Sequence, residues 1–205
     1  MLKLYDLERS GNCYKIRLFL SLIEIEYEKI PINTNAGENE SPKFLDLSPR
    51  GQLPVLDDDG RVIWDSTAIL VYLAGTYGQG SWMPKDYYKF AKIVQWLAFE
   101  QNEGRYGLAR ARAIALGNPT SFARMGNIEE CRNLAHIALA VLEMELKKNP
   151  WLVGQDITIA DIACYPYVAL APEGGIYTKE FQAVEAWLQR IEALPNYVSL
   201  PRASD

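Results

Sequence analysis

The first 80 residues constrain the fold most, because strand patterns and helix patterns alternate there and no strand pattern follows. Residues 2–5 and 27–32 have the pattern of short strands, and residues 53–63 predict a hairpin with an acidic turn. Helix starts separate these segments, after Ser10, Ser41 and Asp65. The resulting order, β-α-β-α-β-β-α, predicts a small mixed α/β domain.

The chain beyond residue 84 has helical patterns only. These cover residues 87–116, 127–148, about 158–167 and about 181–194. Val94 and Ile137 fall on the apolar stripes of two of these helices, and we expect both side chains to point inward. The fold class is therefore α/β plus all-α. We expect two domains, residues 1–81 and residues 85–205, of which the second is a helical bundle.

Charge and cysteine content restrict the classes of function. Lys and Arg number 21 and Asp and Glu number 26, so the net charge is −5, and nucleic acid is an unsuitable partner. The three cysteines show neither a zinc pattern nor a disulfide framework, which favours a reducing compartment. The chain start does not resemble a signal peptide, and no apolar stretch is long enough to span a bilayer. A cytoplasmic location, away from membranes, is expected.

Ser10 stands where the first strand meets the first helix, and two roles stay open for it. As an N-cap it satisfies a free backbone N–H, and as a site residue it donates a hydrogen bond to an anion at the helix N-terminus. A nucleophilic role requires a nearby base. The only histidine, His136, falls on a solvated helix face together with Glu143. Ser10 is therefore expected to donate a hydrogen bond and not to attack.

Cys13 follows Ser10 at the spacing of a thioredoxin redox motif whose first cysteine is replaced by serine. Exchange between two cysteines is therefore unavailable at this motif. Because Cys13 shares a helix face with Ile16 and Leu20, we expect a buried structural thiol.

Two further turns could open on the same sheet edge as Ser10. Pro54 lacks an N–H at the start of a central strand. It is either an ordinary strand-start proline or part of a cis bond that presents the Leu53 backbone to an extended peptide. Asp65 and Ser66 are usual N-cap residues, and together they also suit an amino-acid head group. In that role Ser66 would hold the carboxylate and Asp65 the ammonium.

Four segments, taken together, resemble the cytosolic glutathione transferases. They are residues 10–17, Gly51-Gln52-Leu53-Pro54-Val55-Leu56, residues 64–69 (Trp-Asp-Ser-Thr-Ala-Ile) and residues 158–162 (Thr-Ile-Ala-Asp-Ile). They occur in order and at family-like spacing along nearly the whole chain, and residues 96–101 are similar to bacterial members. The resemblance implies a thioredoxin-like N-terminal domain, a helical C-terminal domain, a homodimer and a role in detoxification.

The resemblance also implies which residues form the site. The residue that contacts the glutathione sulfur falls on Ser10, with Asn12 as a second donor. The remaining glutathione contacts fall on Gln52, Leu53, Pro54, Asp65 and Ser66, with Pro54 at the cis-proline position. No metal is implied, and glutathione is the co-substrate.

The implied reaction is activation of the glutathione thiol for attack on a hydrophobic electrophile. The electrophile would bind between the domains against Leu7, Tyr106 and Arg110, which could equally be core or dimer contacts. Peroxidase, isomerase and dehalogenase activities are alternatives, and so is a binding module without catalysis. Ser10 disfavours a glutaredoxin-type reductase.

Three positions depart from common family patterns. Tyr5 lies within the first strand, so the tyrosine donor of several classes is not at its usual position. Ser10 replaces the cysteine of other classes, which argues against a mixed-disulfide mechanism. Asp65 replaces the commoner glutamate.

Overall fold

A four-stranded mixed sheet forms the N-terminal part of the chain. The computed structural model describes residues 1–80, 82–118 and 126–203, so Ser81, in the linker, lies outside the described residues. The strands are β1 (Leu2–Asp6), β2 (Glu28–Pro31), β3 (Val55–Asp58) and β4 (Arg61–Trp64), in the spatial order β2-β1-β3-β4. β1 pairs with β2 in parallel, whereas β3 is antiparallel to both β1 and β4.

The helices of this part are α1 (Gly11–Leu22), α2 (Pro42–Leu45) and α3 (Ser66–Thr76). α1 provides the crossover that two parallel strands require. Ser41 caps α2 with Pro42 in its first turn, and Asp59 and Gly60 form the β3–β4 turn with positive φ angles. The predicted order β-α-β-α-β-β-α is confirmed.

A helical part follows. α4 (Tyr87–Phe99), a ten-residue π-helix (Glu100–Ala109) and α5 (Arg110–Ala115) run on without a break. α6 (Ile128–Leu146), α7 (Ile159–Ala169) and α8 (Gln182–Glu192) complete it. The sequence predicted one helix over this first stretch but not its π-helical segment. π-helical turns are rare and concentrate at functional sites.

α7 begins at a capping box of Thr158 and Asp161. The Asp161 carboxylate accepts hydrogen bonds from the backbone of Leu152 and from the Trp187 indole, both at 3.0 Å. Burial raises the pKa of Asp161 to about 6. This carboxylate therefore ties α7 to the preceding loop and to α8.

Three predicted side-chain environments are wrong. Val94 and Ile137 were expected to point inward, but they are 45% and 60% exposed. Glu143 was expected on a solvated face, but it is buried, and its Oε2 accepts the N–H groups of Ala183 and Val184 at 2.9 and 3.1 Å. Those N–H groups lie at the start of α8, which has no side-chain N-cap of its own, so Glu143 satisfies them. His136 is exposed, as predicted.

α1 also differs from an amphipathic surface helix. Its apolar side chains Cys13, Ile16 and Leu20 are buried as expected, but Lys15 and Arg17 are buried as well. α1 packs against α3 and against α7, so more than one side of the helix is covered. Within the described ranges, none of the helices has the length and apolar character needed to cross a membrane.

Candidate functional site

A cleft lies at the sheet edge where the β1–α1, α2–β3 and β4–α3 turns meet. Its lining is Asn12, Ser48, Arg50, Gln52, Leu53, Pro54, Trp64, Asp65, Ser66 and Arg105. The expectation that the three turns open on one edge is therefore confirmed. Six residues singled out in the sequence are brought together here, whereas Ser48, Arg50, Trp64 and Arg105 were missed.

Ser10 is the N-cap of α1. Its Oγ accepts the backbone N–H of Cys13 at 3.3 Å, and its own N–H donates to the Leu7 carbonyl at 2.9 Å. The hydroxyl proton remains to be donated, because a serine hydroxyl can donate and accept at once. Ser10 is not one of the residues that line the cleft. It lies beside the cleft, two residues before Asn12.

Gly11 lets the start of α1 approach α7 closely. A Cβ at this position would lie 2.8 Å from Cε1 of Tyr167. The Tyr167 ring therefore packs directly against the first turn of α1, next to Ser10 and Asn12. Any larger residue would push this turn away from α7.

The Asn12 side chain lines the cleft in a defined orientation. Its Oδ1 accepts a hydrogen bond from Lys15 Nζ at 2.8 Å. An ammonium group can only donate, so the amide oxygen faces Lys15 and the amide nitrogen faces away from it. Nothing in the sequence pattern marked Lys15, because a lysine on a helix is normally exposed.

The Leu53–Pro54 peptide bond is cis, which confirms that alternative. The buried Ser48 holds the backbone just before it, since its Oγ donates to Gln52 O at 3.0 Å and accepts Gln52 N–H at 3.3 Å. The backbone N–H and C=O of Leu53 have no hydrogen-bond partner in the described part of the chain. They are therefore available to pair with an extended peptide.

Asp65 and Ser66 begin α3. Asp65 has φ +79°, a conformation that is costly for a non-glycine residue and is concentrated at functional sites. Its Oδ1 accepts from Thr67 N at 2.9 Å and caps the helix, while Oδ2 lies 3.8 Å from Arg50 Nη1. Ser66 is buried, and its Oγ has no hydrogen-bond partner among the described residues. An orphaned hydroxyl at a helix N-terminus is suited to an anion.

The residues expected to hold a second ligand are not among those that line the cleft. Tyr106 is on the π-helix, and the Arg110 guanidinium lies 4.6 Å from its ring centre. Leu7 is in the β1–α1 loop, and its N–H donates to Cys13 Sγ at 3.4 Å. The π-helix instead contributes Arg105 to the cleft.

Cys13 is confirmed as a buried thiol. Burial raises its pKa to about 12, so it is protonated at neutral pH and unreactive. In the portion of the chain that the structure describes, no group of three or more His, Cys, Asp or Glu could hold a metal ion.

Two family models match the chain. Residues 1–75 match "Glutathione S-transferase, N-terminal domain", and residues 126–195 match "Glutathione S-transferase, C-terminal domain". The chain is 32% identical to glutathione S-transferase D7 of Anopheles gambiae, over 91% of this chain and 84% of the relative. It is 31% identical to the disulfide-bond oxidoreductase YfcG of Escherichia coli, over 90% of this chain and 87% of the relative.

Solved structures give the same result. A glutathione S-transferase from Pseudomonas fluorescens superposes with a TM-score of 0.89 at 36% identity, covering 97% of this chain and 98% of that one. A glutathione S-transferase from Xanthobacter autotrophicus superposes with a TM-score of 0.90 at 31% identity, covering 100% and 98%. These similarities extend over both the sheet part and the helical part.

Proposed function

The chain belongs to the glutathione S-transferase family, whose co-substrate is glutathione, and from that premise we propose how the cleft binds glutathione and activates its thiol. The reaction is attack of the thiolate on a hydrophobic electrophile. Asn12, Pro54 and Ser66 mark the three sides of the proposed site. Each side suits a different part of the tripeptide.

Ser66 and Asp65 bind the γ-glutamyl end in this proposal. The orphaned Ser66 hydroxyl and the N-terminus of α3 hold the α-carboxylate. Asp65, which lines the cleft, holds the α-ammonium, and its positive φ supports this role because such strained backbone is concentrated at functional sites. Both charges of an amino-acid head group are thereby matched.

Leu53 binds the middle of the tripeptide. Its unpaired N–H and C=O pair with the cysteinyl backbone of glutathione, which lies extended along the segment just before β3. Gln52 lies beside it in the lining. This arrangement brings the thiol toward the start of α1, where Ser10 and Asn12 provide neutral donors.

Ser10 and Asn12 then stabilise the thiolate without a base. The Ser10 hydroxyl proton and the Asn12 amide N–H both donate toward the sulfur, and the N-terminus of α1 adds its dipole. The exposed position of His136 on α6 is consistent with a mechanism that needs no histidine.

The buried Ser66 hydroxyl without a partner is the observation that carries this proposal. A hydrogen bond to a charged group contributes about 1.5–3 kcal/mol, so Ser66→Ala is expected to weaken glutathione binding about ten- to a hundredfold. The folded chain should lose no stability, because this hydroxyl bonds to none of the described residues. Isothermal titration calorimetry measures both proteins against glutathione.

Ser199→Ala is the matched control, since Ser199 is exposed and lines a different surface groove. It should bind glutathione like the unaltered chain and turn over an aromatic electrophile at the same rate. If glutathione produces no heat with the unaltered chain, the proposed site is wrong. If it binds but no electrophile reacts, the chain is a binding module.

We also propose that the chain forms a homodimer in the cytoplasm. Val62 on β4, Val94 on α4 and Ile137 on α6 are exposed apolar side chains that a second copy could cover. Cys13, Cys131 and Cys164 are free thiols, as a reducing compartment maintains them. Static light scattering of the purified protein should give the molar mass of two chains. The molar mass of one chain would refute the dimer.

A further inference from the structure

A fully buried lysine lies directly behind the cleft. Lys15, in the second turn of α1, has none of its side chain exposed. Its Nζ lies 2.6 Å from Glu100 Oε1 and 2.8 Å from Asn12 Oδ1, and 5.3 Å from the centre of the Tyr167 ring. Lysine is almost never fully buried unless it is paired, and here the ion pair and the ring account for its burial.

Glu100 belongs to the helical part of the chain. It is buried, and it is the first residue of the π-helix. The ion pair therefore joins α1, which carries the thiol-binding end of the cleft, to an element 85 residues away in the sequence. The same π-helix supplies Arg105 to the cleft, five residues after Glu100.

The contact with Lys15 decides what Asn12 presents to the cleft. Without Lys15, an asparagine amide can turn either its oxygen or its nitrogen outward, at little cost. With the ammonium behind it, only the oxygen can face inward, so the N–H groups face the other way. Asn12 Nδ2 forms no hydrogen bond with any residue in the described ranges. It is thus a free donor on a side chain that lines the cleft.

An ion pair kept only for stability is a weaker explanation. A buried pair contributes no more than well-packed apolar residues of the same volume, and often less. Here the pair has a third partner that faces the proposed thiol site, and that partner could not keep its orientation with an apolar residue at position 15. The Lys15–Glu100 ion pair is therefore placed where it fixes the orientation of the Asn12 amide.

We infer that Lys15 and Glu100 are positioning residues, whose ion pair holds Asn12 with its amide N–H directed at the sulfur of glutathione. Glu100 fixes the Lys15 ammonium, the ammonium fixes the Asn12 oxygen, and the amide nitrogen then donates to the thiolate. The inference rests on the proposed function of the cleft. It adds that the helical part of the chain controls the acidity of the bound thiol.

The test compares the thiol pKa of bound glutathione across variants, followed by the ultraviolet absorbance of the thiolate. Lys15→Met is expected to raise that pKa by about one unit and to lower kcat at neutral pH by up to about tenfold, with little change in KM for glutathione. Since Lys15→Met leaves Glu100 unpaired and could unfold the chain, Lys15→Met/Glu100→Leu removes both charges together. Circular dichroism establishes that each variant is folded.

A double-mutant cycle with Asn12→Ala separates positioning from a structural role. If Lys15 acts through Asn12, Asn12→Ala raises the thiol pKa by itself, and adding Lys15→Met raises it no further. Equal effects of Lys15→Met with and without Asn12 would overturn the inference, as would an unchanged thiol pKa in the folded double-charge variant.

Asn12→Asp provides an independent variant. It keeps an oxygen acceptor for Lys15 but has no N–H to donate, so the thiol pKa should rise at least as much as in Asn12→Ala. An unchanged pKa would show that Asn12 is not a donor and would overturn the inference. Failure of the unaltered chain to bind glutathione would instead refute the proposed function, so the two failures are distinguishable.

Discussion

Replacing Ser10 with alanine tests the proposed thiolate donor and separates it from the helix cap. The structure gives this side chain an observed role, because its Oγ accepts the Cys13 N–H at 3.3 Å. The proposal gives it a second role, in which the hydroxyl proton is donated to the glutathione sulfur. Ser10→Ala removes both roles, so two separate measurements are needed.

Loss of the cap changes the folding free energy, whereas loss of the donor changes the pKa of the bound thiol. Loss of the cap costs about 1 kcal/mol of folding free energy, or about 2–4 °C in Tm for a chain of this size. Loss of a hydrogen bond to a charged sulfur costs about 1.5–3 kcal/mol, which raises the bound-thiol pKa by about one to two units. A free thiol has a pKa of about 8.5, and the hydroxyl with the helix dipole together lower it by about 1.3–3 units in the complex, in addition to the contribution of Asn12. The bound thiol of the variant should therefore titrate about one to two units above that of the unaltered chain.

Two matched variants isolate the donor. Ser10→Thr keeps the cap and the hydroxyl, so the thiol pKa and the Tm should both stay close to those of the unaltered chain. Ser10→Asp keeps the cap but adds a negative charge without a donor, so the Tm should hold while the thiol pKa rises.

Thermal unfolding and ultraviolet titration of the glutathione complex measure the two effects. A Ser10→Ala chain that loses stability but titrates at the original pH would refute the donor role. Ser10 would then be a helix cap only, and Asn12 would be the principal donor.

Two further predictions concern buried groups. Burial raises the folded-state pKa of Asp161 to about 6, above the unfolded value of about 3.9. The folded chain therefore binds this proton more tightly than the unfolded chain does. The free energy of unfolding should accordingly fall by about 3 kcal/mol as the pH rises from about 4 to about 6. Urea unfolding at several pH values should show that slope in the unaltered chain but not in Asp161→Asn, and equal slopes would contradict the reasoning. Cys13→Ser keeps an acceptor for the Leu7 N–H and removes a thiol whose pKa is about 12, so turnover of an aromatic electrophile should be unchanged. Loss of turnover would show that the Cys13 thiol takes part in the reaction.

The sequence predicted the framework of the site well. Ser10, Pro54 and Asp65 were each placed at the turn where the structure has them, because caps, strand starts and tight turns depend on residues only a few positions apart. The sequence could not decide between a cis and a trans peptide bond before Pro54. The pattern at Leu53–Pro54 left the peptide bond open, and only the packed structure showed it to be cis.

The sequence predicted the surroundings of the site less well. Arg105 and Lys15 were missed. The residues expected beside the second substrate, Leu7, Tyr106 and Arg110, are not among those that line the cleft, and that expectation stays a prediction. Helical periodicity assigns a polar residue to the solvent side. That rule fails where a second element covers the helix, as α7 covers α1. It fails for Glu143 in the same way, since α8 lies against it.

What the sequence by itself determined is the order of elements and the local start of each helix, from Ser41–Pro42 to the capping box at Thr158. These depend on backbone hydrogen bonds between near neighbours, which a short stretch of residues specifies. Only the tertiary structure decided which charged side chains are buried and how they orient the Asn12 amide in the cleft. The contact of Lys15 with Glu100 joins residues 85 positions apart, and packing alone removed both from water and turned the Asn12 amide toward the cleft.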